Sequence, residues 1–290
     1  MPAVAGIATW EPPLANPLDY LLYIPLAYFY SLAVLFKYAL AHPQLIAEGA
    51  TFSASLLAIL FSHEMGHYLA CRYYKVNATL PYFIPAPPLF VTGTFGAFIK
   101  IRSPIPSRRA LFDIGLAGPL AGFVVAIPLS VVGVLTVGPP LPVEGHLLYF
   151  NDPPLFRLIA KLAGITLDPN SPTNPYYMAA WIGLLVTSLN LMPVGQLDGG
   201  HGTFAMFGAR AHRIIGRVAF VVMSVLAVLG YIWHGSPSGF LYAVLLGVMM
   251  RLPHPPPHVS EPLGTKRIVI AIVTLIVFLL CFWPFPITIT

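Results

Sequence analysis

Charged side chains are scarce in this 290-residue chain, where they make up 9% of the residues while hydrophobic residues make up 57%. Soluble globular domains carry about 25% charged residues, so this scarcity excludes an ordinary soluble protein. Long apolar runs separate the few charges, which indicates that lipid rather than water covers much of the surface. The sequence therefore predicts an integral membrane protein.

Cysteine is nearly absent as well, with two residues that lie in apolar stretches far apart in the chain. Cys71 and Cys281 form no CxxC pattern, so no disulfide is indicated. A metal-ligand role for Cys71, one helical turn after His67, is the alternative to simple packing, which is the usual role of a lone cysteine on an apolar face. No basic n-region precedes the first apolar run, so we expect no cleaved signal peptide.

The basic residues lack the arrangement that nucleic-acid binding needs, which is a basic face with aromatic or hydrogen-bonding readers. Instead, Lys and Arg cluster at the ends of apolar segments, so we predict no nucleic-acid partner. If the apolar stretch 239–250 returns the chain to the side of the membrane from which the span 214–234 starts, 12 of the 15 basic residues lie on that one side. By the positive-inside rule that side is the cytoplasm, which places the N-terminus inside and the loop 138–175 outside.

Apolar runs close to the ~20 residues needed to cross hydrocarbon predict about six transmembrane helices. The expected fold class is an all-α polytopic membrane protein with a single membrane-embedded domain over residues 1–290. The stretch at 239–250 is too short for a full span and is interpreted as a half-span or an interfacial helix. The six candidate spans are 18–41, 52–74, 111–137, 176–192, 214–234 and 267–283.

Two proline-rich segments interrupt the helical pattern. Residues 78–101 have a β-favouring second half, which predicts a membrane-associated re-entrant loop followed by a short β-ribbon. Non-helical backbone at membrane depth must be buried in protein or line a wet cavity, so we interpret this segment as a substrate groove, with a loop at headgroup level as the alternative. Residues 251–262 are predicted to form an extended linker, in which His254 and His258 are solvated rather than metal ligands.

The strongest motif is HExxH at residues 63–67, inside a predicted span. On a helix, His63 and His67 stand on one face, as a tetrahedral zinc site requires, and Glu64 lies beside them as a candidate general base. Ionisable residues in hydrocarbon are unfavourable unless they face a bundle interior, a cavity or a metal. This setting favours a functional site over a structural polar cluster.

A catalytic zinc commonly has three protein ligands, and Asp198 is the acid best placed to supply the third. Pro193 should interrupt the preceding span, so the carboxylate can face inward; a helix-capping role is the alternative.

His201 is an alternative ligand or a partner of one. Asn190 either donates to the oxyanion formed on a scissile carbonyl or bonds between helices. At about 1.5 Å per residue, His67 and the end of the later span reach similar depths, so their ligands can meet.

Four segments resemble the site-2 proteases, a family that performs regulated intramembrane proteolysis. HEMGH at 63–67 and NLMPVGQLDG at 190–199 are similar to that family's HExxH and NxxPxxxLDG, in the same order. GTFGAFIKIRSP at 93–104 and FDIGLAGPLAG at 112–122 are also similar to bacterial, archaeal and chloroplast members. The resemblance covers about residues 50–210, which we take as the catalytic core.

The resemblance implies a zinc metalloendopeptidase with one Zn²⁺ per chain. It implies that His63, His67 and Asp198 bind zinc, that Glu64 activates water and that Asn190 assists with the substrate or oxyanion. It further implies that an unwound stretch of a transmembrane protein or peptide pairs with the ribbon by strand addition. The ribbon residues expected to bind substrate are Gly93, Thr94, Phe95, Gly96, Ala97 and Phe98.

The compact chain is interpreted as a protein of a prokaryotic cell membrane, with its active site open to the cytoplasm. Family members often add a PDZ or CBS domain, for which this chain has no room. A transmembrane substrate and the lipid bilayer are the expected partners, and oligomerisation is left open. Two other classes compete: a metal transporter, which has no need of a non-ligating Glu64, and a noncatalytic scaffold, in which loss of a ligand or of the base is expected.

Overall fold

The structure, a computed structural model, describes residues 17–87, 93–140, 148–252 and 261–289. Helices dominate these residues, and the β-structure consists of two short antiparallel pairs. The helices described are α1 (Pro17–Ala41), α2 (Pro43–Tyr73), α3 (Arg108–Leu135), α4 (Pro154–Ala163), α5 (Pro175–Asn190), α6 (Asp198–His234), α7 (Ser238–Met249) and α8 (Thr265–Cys281). The strands described are β1 (Tyr82–Pro85), β2 (Thr94–Phe98), β3 (Leu148–Phe150) and β4 (Ile287–Ile289).

Four helices in the described part of the chain are long and apolar enough to cross a bilayer, in agreement with a helical membrane protein. They are α1, α2, α3 and α6. The predicted spans at 176–192 and 267–283 correspond to α5 and α8, which have 16 and 17 residues. At about 1.5 Å per residue these two helices are shorter than the ~30 Å hydrocarbon core. α7 has 12 residues, the length of the short stretch at 239–250.

Two helix boundaries differ from the sequence prediction. α2 begins at Pro43 rather than near residue 52, because proline is favoured in the first turn of a helix. α6 begins at Asp198 rather than near residue 214, since the His, Arg and Gly residues of its first turns hide the helix from a search for apolar runs. Gly208, with φ 79° and ψ 175°, kinks α6 between this polar start and the apolar remainder.

Helix α3 is the centre of the fold and packs on α2, α5 and α6, with smaller contacts to α4 and α8. Leu56, Phe112, Phe156 and Leu184 are among the largest side chains that are fully buried in this core. Large apolar side chains on the outer faces of α1, α6 and α8 are exposed. Lipid tails are as apolar as these side chains, so such an outer surface suits a bilayer.

The proline-rich segment contains an antiparallel pair, in which β1 pairs with β2. Tyr82 is opposite Phe98, and Phe83 is opposite Ala97. An isolated bridge between Ala78 and Ile101 extends the pairing towards α2 and α3. The extended backbone at 94–98 lies within the stretch where the sequence predicts a ribbon, and it reaches the region beside α2.

A second antiparallel pair joins distant parts of the chain and was not expected from the sequence. β3 pairs with β4, with Tyr149 opposite Thr288. The Asn151 side chain reinforces this junction by donating to the carbonyl of Phe285 at 2.7 Å.

Helix α4 follows β3 inside the segment that the sequence treats as a loop. The predicted linker at 251–262 falls mostly outside the described residues, and His254 and His258 both lie outside them.

Candidate metal centre and active site

Helix α2 carries three ionisable side chains on a buried face of an otherwise apolar span. His63, Glu64 and His67 are 5%, 8% and 8% exposed, respectively. Because residues at i and i+4 are neighbours on a helix, the two imidazole rings lie side by side, with their Nε2 atoms 3.2 Å apart. One helix therefore supplies two ligand atoms and an adjacent carboxyl group.

Asp198, the first residue of α6, completes the cluster from a distant part of the sequence. Its Oδ2 lies 3.3 Å from Nε2 of His63 and 3.4 Å from Nε2 of His67. The backbone of α6 approaches the preceding loop so closely that a Cβ on Gly199 would lie 2.0 Å from the carbonyl oxygen of Leu191. This tight turn, defined here as loop 191–197, aims the carboxylate at the histidine pair.

The three ligand atoms have the spacing that zinc requires. Zinc lies about 2.0–2.1 Å from His nitrogen and carboxylate oxygen, so two ligands of a tetrahedral site are about 3.3–3.4 Å apart. The observed separations are 3.2, 3.3 and 3.4 Å. Three protein ligands also leave the fourth tetrahedral position open, as in catalytic zinc sites. The cluster is therefore built to hold a metal ion.

A hydrogen bond to the backbone of α3 sets the orientation of the second histidine. Nδ1 of His67 lies 2.7 Å from the carbonyl oxygen of Ile114. A carbonyl can only accept, so Nδ1 carries the proton and Nε2 presents its lone pair to the cluster. Metal-binding histidines almost always have such a partner, which fixes the tautomer and the ring orientation.

Gly118 of α3 leaves the space that the His67 ring occupies. A Cβ at Gly118 would lie 2.1 Å from Nε2 of His67, well inside the contact distance of real atoms. Gly122, one turn later, lies close to His63. A Cβ placed on Gly122 would be 3.2 Å from the Cβ of His63. The GxxxG pattern of α3 therefore serves an intramolecular contact with the metal-binding face of α2.

A cavity of about 270 Å³ opens onto the cluster. Its walls include Glu64, Asn190 and the end of strand β2, from which Ala97 and Phe98 line the cavity. The Glu64 carboxyl group also lies within hydrogen-bonding reach of the backbone of Ile99, directly after β2. The ribbon and the candidate base thus share one wall of the site.

The remaining ribbon residues have different surroundings. The Thr94 hydroxyl group donates to the carbonyl of Ile84 at 2.8 Å and so ties β2 to β1. Gly93 and Gly96 both have positive φ values, of 65° and 118°, and neither lines the cavity. The side chain of Phe95 lies outside the described part of the structure. Of the five predicted substrate-binding residues whose side chains the structure describes, Ala97 and Phe98 line the cavity.

Asn190 and His201 lie beside the cluster rather than in the group of three ligand atoms. Nδ2 of Asn190 is 3.4 Å from Nε2 of His63, which puts a hydrogen-bond donor at the edge of the candidate metal position. His201 lines the cavity one turn after Asp198. Cys71 is fully buried in a small apolar cluster with Val76, as expected for a packing cysteine.

Sequence reasoning missed two parts of the site, the carbonyl of Ile114 and the backbone of Ile99, and it did not connect the GxxxG at Gly118 with the His67 ring. The first two are backbone groups, which leave no signature in a sequence. Gly118 does have a signal, because it lies in FDIGLAGPLAG, where glycines recur on one face of a span.

Residues 51–232 match the sequence profile of Peptidase family M50, and these residues include the whole metal cluster. The chain belongs to this family. The match confirms the resemblance to the site-2 proteases. M50 membership also agrees with the membrane-embedded position of the cluster, since the two histidines lie within a helix long and apolar enough to span a bilayer.

Plant proteins are among the relatives of this M50 chain. It is 30% identical over 254 residues to "Probable zinc metalloprotease EGY2, chloroplastic" of Oryza sativa subsp. indica, covering 84% of the chain and 44% of the relative. It is 33% identical over 238 residues to the similarly named EGY1 protein of Arabidopsis thaliana, covering 79% of the chain and 42% of the relative. The chain therefore spans less than half the length of these relatives.

Proposed function

We propose that this chain is an intramembrane zinc metalloendopeptidase that hydrolyses peptide bonds in or near the transmembrane segments of membrane proteins. The observation that carries the proposal is the triangle of Nε2 of His63, Nε2 of His67 and Oδ2 of Asp198, with sides of 3.2–3.4 Å. Glu64 stands next to this triangle without belonging to it. A transporter or scaffold has no use for that extra carboxyl group.

Each residue has a role that follows from its position. His63, His67 and Asp198 hold one zinc ion, which supplies Lewis acidity that polarises a peptide carbonyl and makes water a stronger acid. Glu64 takes a proton from the attacking water and passes it to the leaving amine. The Asn190 amide group donates to the carbonyl oxygen as negative charge develops on it.

The substrate enters as extended backbone along strand β2. Carbonyl groups of a transmembrane helix are hydrogen-bonded within the helix, so the substrate must unwind locally before water can attack. Strand addition to a ribbon replaces the lost backbone hydrogen bonds, and β2 ends at Ala97 and Phe98 in the wall of the cavity. Cleavage of this kind is the chemistry of regulated intramembrane proteolysis.

The arrangement in the membrane is part of the proposal. We infer six spans, with α5 and α8 as short spans beside the four longer helices, in one domain whose catalytic core covers about 50–210. The distribution of basic residues supports an orientation in which the N-terminus and the opening of the site lie on the cytoplasmic side. The chloroplast location in the names of the plant relatives belongs to those proteins.

A comparison of two glutamate variants tests the proposal. Wild type, Glu64→Gln and Glu48→Gln are purified in detergent, their zinc content is measured, and cleavage of a membrane-anchored test substrate is followed. Glu48 is an exposed residue of the same helix and is the matched control. We expect about one zinc per chain in all three proteins and loss of cleavage in Glu64→Gln alone. Equal cleavage by Glu64→Gln would refute the assigned mechanism.

A further inference from the structure

A second cavity, of about 490 Å³, lies at the kink of α6. Residues from both sides of Gly208 line it, including Phe204 before the kink and His212 after it. Gly195 of loop 191–197 and Met250, which follows α7, contribute from the other side. This cavity shares no lining residue with the cavity at the metal centre, and loop 191–197 connects Gly195 in its wall to Asp198.

The lining of the second cavity is basic and contains no carboxyl group among the described residues. Arg213 and Arg217 both line it, and both are exposed. They stand at i and i+4, so two like charges are neighbours on one helix face, an arrangement that destabilises a helix without a counter-charge. No ion pair or side-chain hydrogen bond in the described part of the chain engages either guanidinium group.

The acidic residues on the nearby helix ends already have partners. Asp113 is bound to Arg267, and Glu261 lies 3.5 Å from Arg109. Asp198 faces the histidines of the metal cluster. None of these described carboxyl groups is paired with Arg213 or Arg217.

The position of the arginine pair indicates where a counter-charge comes from. After Arg217, α6 is apolar from Val218 to Trp233, and its outer side chains are exposed, as with Val218 and Val221. Arginines at the end of a lipid-facing run lie at the level of phospholipid headgroups, where they attract anionic lipids. The planar guanidinium group also matches phosphate oxygens in a two-point contact.

We propose that the cavity at the α6 kink binds the phosphate group of an anionic phospholipid through Arg213 and Arg217. The shared chemistry is a phosphate anion, and inorganic phosphate is the other source of it. A headgroup in this cavity lies against Gly195, so its binding should restrict the loop that leads to Asp198. The proposal concerns binding and is independent of whether the chain cuts peptides.

Two double variants with equal loss of charge test this site. Arg213→Gln with Arg217→Gln removes the cavity pair, and Arg72→Gln with Lys75→Gln removes two exposed charges from the end of α2 as the matched control. Each detergent-purified protein is titrated with phosphatidylglycerol, with phosphatidylcholine or with inorganic phosphate. Bound lipid is counted by native mass spectrometry, and thermal unfolding is measured in parallel.

The proposal requires that wild type and the Arg72/Lys75 control retain phosphatidylglycerol in preference to phosphatidylcholine, and that the cavity variant loses at least ten-fold in affinity. If wild type binds inorganic phosphate but no phosphatidylglycerol, and the cavity variant loses that binding, the cavity is an anion site whose ligand is free phosphate from solution rather than a lipid. Equal retention of phosphatidylglycerol by both double variants would overturn the proposal. An equal loss in both would also overturn it, because the attraction would then belong to surface charge in general.

Discussion

Arg267 of α8 holds Asp113 of α3 through two hydrogen bonds, from Nε at 2.9 Å and from a terminal nitrogen at 2.6 Å. The Tyr74 hydroxyl group, just after α2, donates to the same carboxylate and accepts from Arg267. Burial and the hydrogen bond to Asp113 raise the pKa of Tyr74 to about 12. Helices α2, α3 and α8 are thereby joined at one end.

Replacing Arg267 should loosen this junction. In Arg267→Met the half-buried Asp113 carboxylate loses its charged partner, and we expect the free energy of unfolding to fall by about 1.5–3 kcal/mol. Lys266→Met removes a neighbouring exposed charge and should leave stability nearly unchanged. Denaturant unfolding in detergent measures both effects. Equal stability of the two variants would mean that the Asp113 contact does not hold α8.

Gly118→Ala should damage metal binding rather than helix formation. A methyl group at this position would overlap the His67 ring, so the ring must leave its place in the ligand triangle. We expect zinc affinity to fall at least ten-fold, a range typical of damage to groups that orient metal ligands. Gly49→Ala in α2, where nothing lies within 4 Å, is the control and should keep full zinc content. Zinc binding by Gly118→Ala at the wild-type level would contradict this packing.

Removal of the metal should destabilise the wild-type protein. A ligand that binds only the folded state stabilises it by mass action, so a chelator should lower the melting temperature, and added zinc should restore it. Asp198→Ala lacks one corner of the triangle and should melt at the same temperature with and without chelator. A full chelator response in Asp198→Ala would show that the ion is held elsewhere.

Asn190→Ala should reduce turnover while zinc content stays near one per chain. Loss of one oxyanion donor lowers kcat by about 10²–10³-fold in other hydrolases, with less effect on KM. Asn170→Ala, an exposed asparagine outside the cavity, is the matched control. If Asn190→Ala loses zinc and activity together, the amide group has a structural role between helices instead.

The sequence predicted the metal triangle because its residues obey local rules. A helical repeat places His63 and His67 on one face, and scarcity of acids singles out Asp198. The predicted start of α6 was about 16 residues too late. The search for spans relied on hydrophobicity, and the first turns of α6, which pack on α3, are too polar to be found in that way. The count of six spans depends on α5 and α8. The sequence does not indicate how short these two helices are, because packing in the folded protein sets their ends.

Other features depend on contacts that no local pattern encodes. β3 and β4 have three residues each, and their pairing depends on two chain segments that meet across the fold. The guanidinium group of Arg108 reaches the carbonyls of Ala205 and Met206, next to the kink at Gly208. That contact gives two backbone carbonyls beside the kink a side-chain donor, and neither the kink nor this contact is visible in the sequence.

The metal triangle also imposes an order on biosynthesis. The histidine pair belongs to α2, while Asp198 follows about 130 residues later, so a ribosome adding about 5–20 residues per second makes the third ligand roughly 7–26 s after the pair. During that interval the histidine pair exists without the carboxylate that completes the set. A newly made chain therefore acquires its full metal-binding set late, after α2, α3 and α5 have been synthesised.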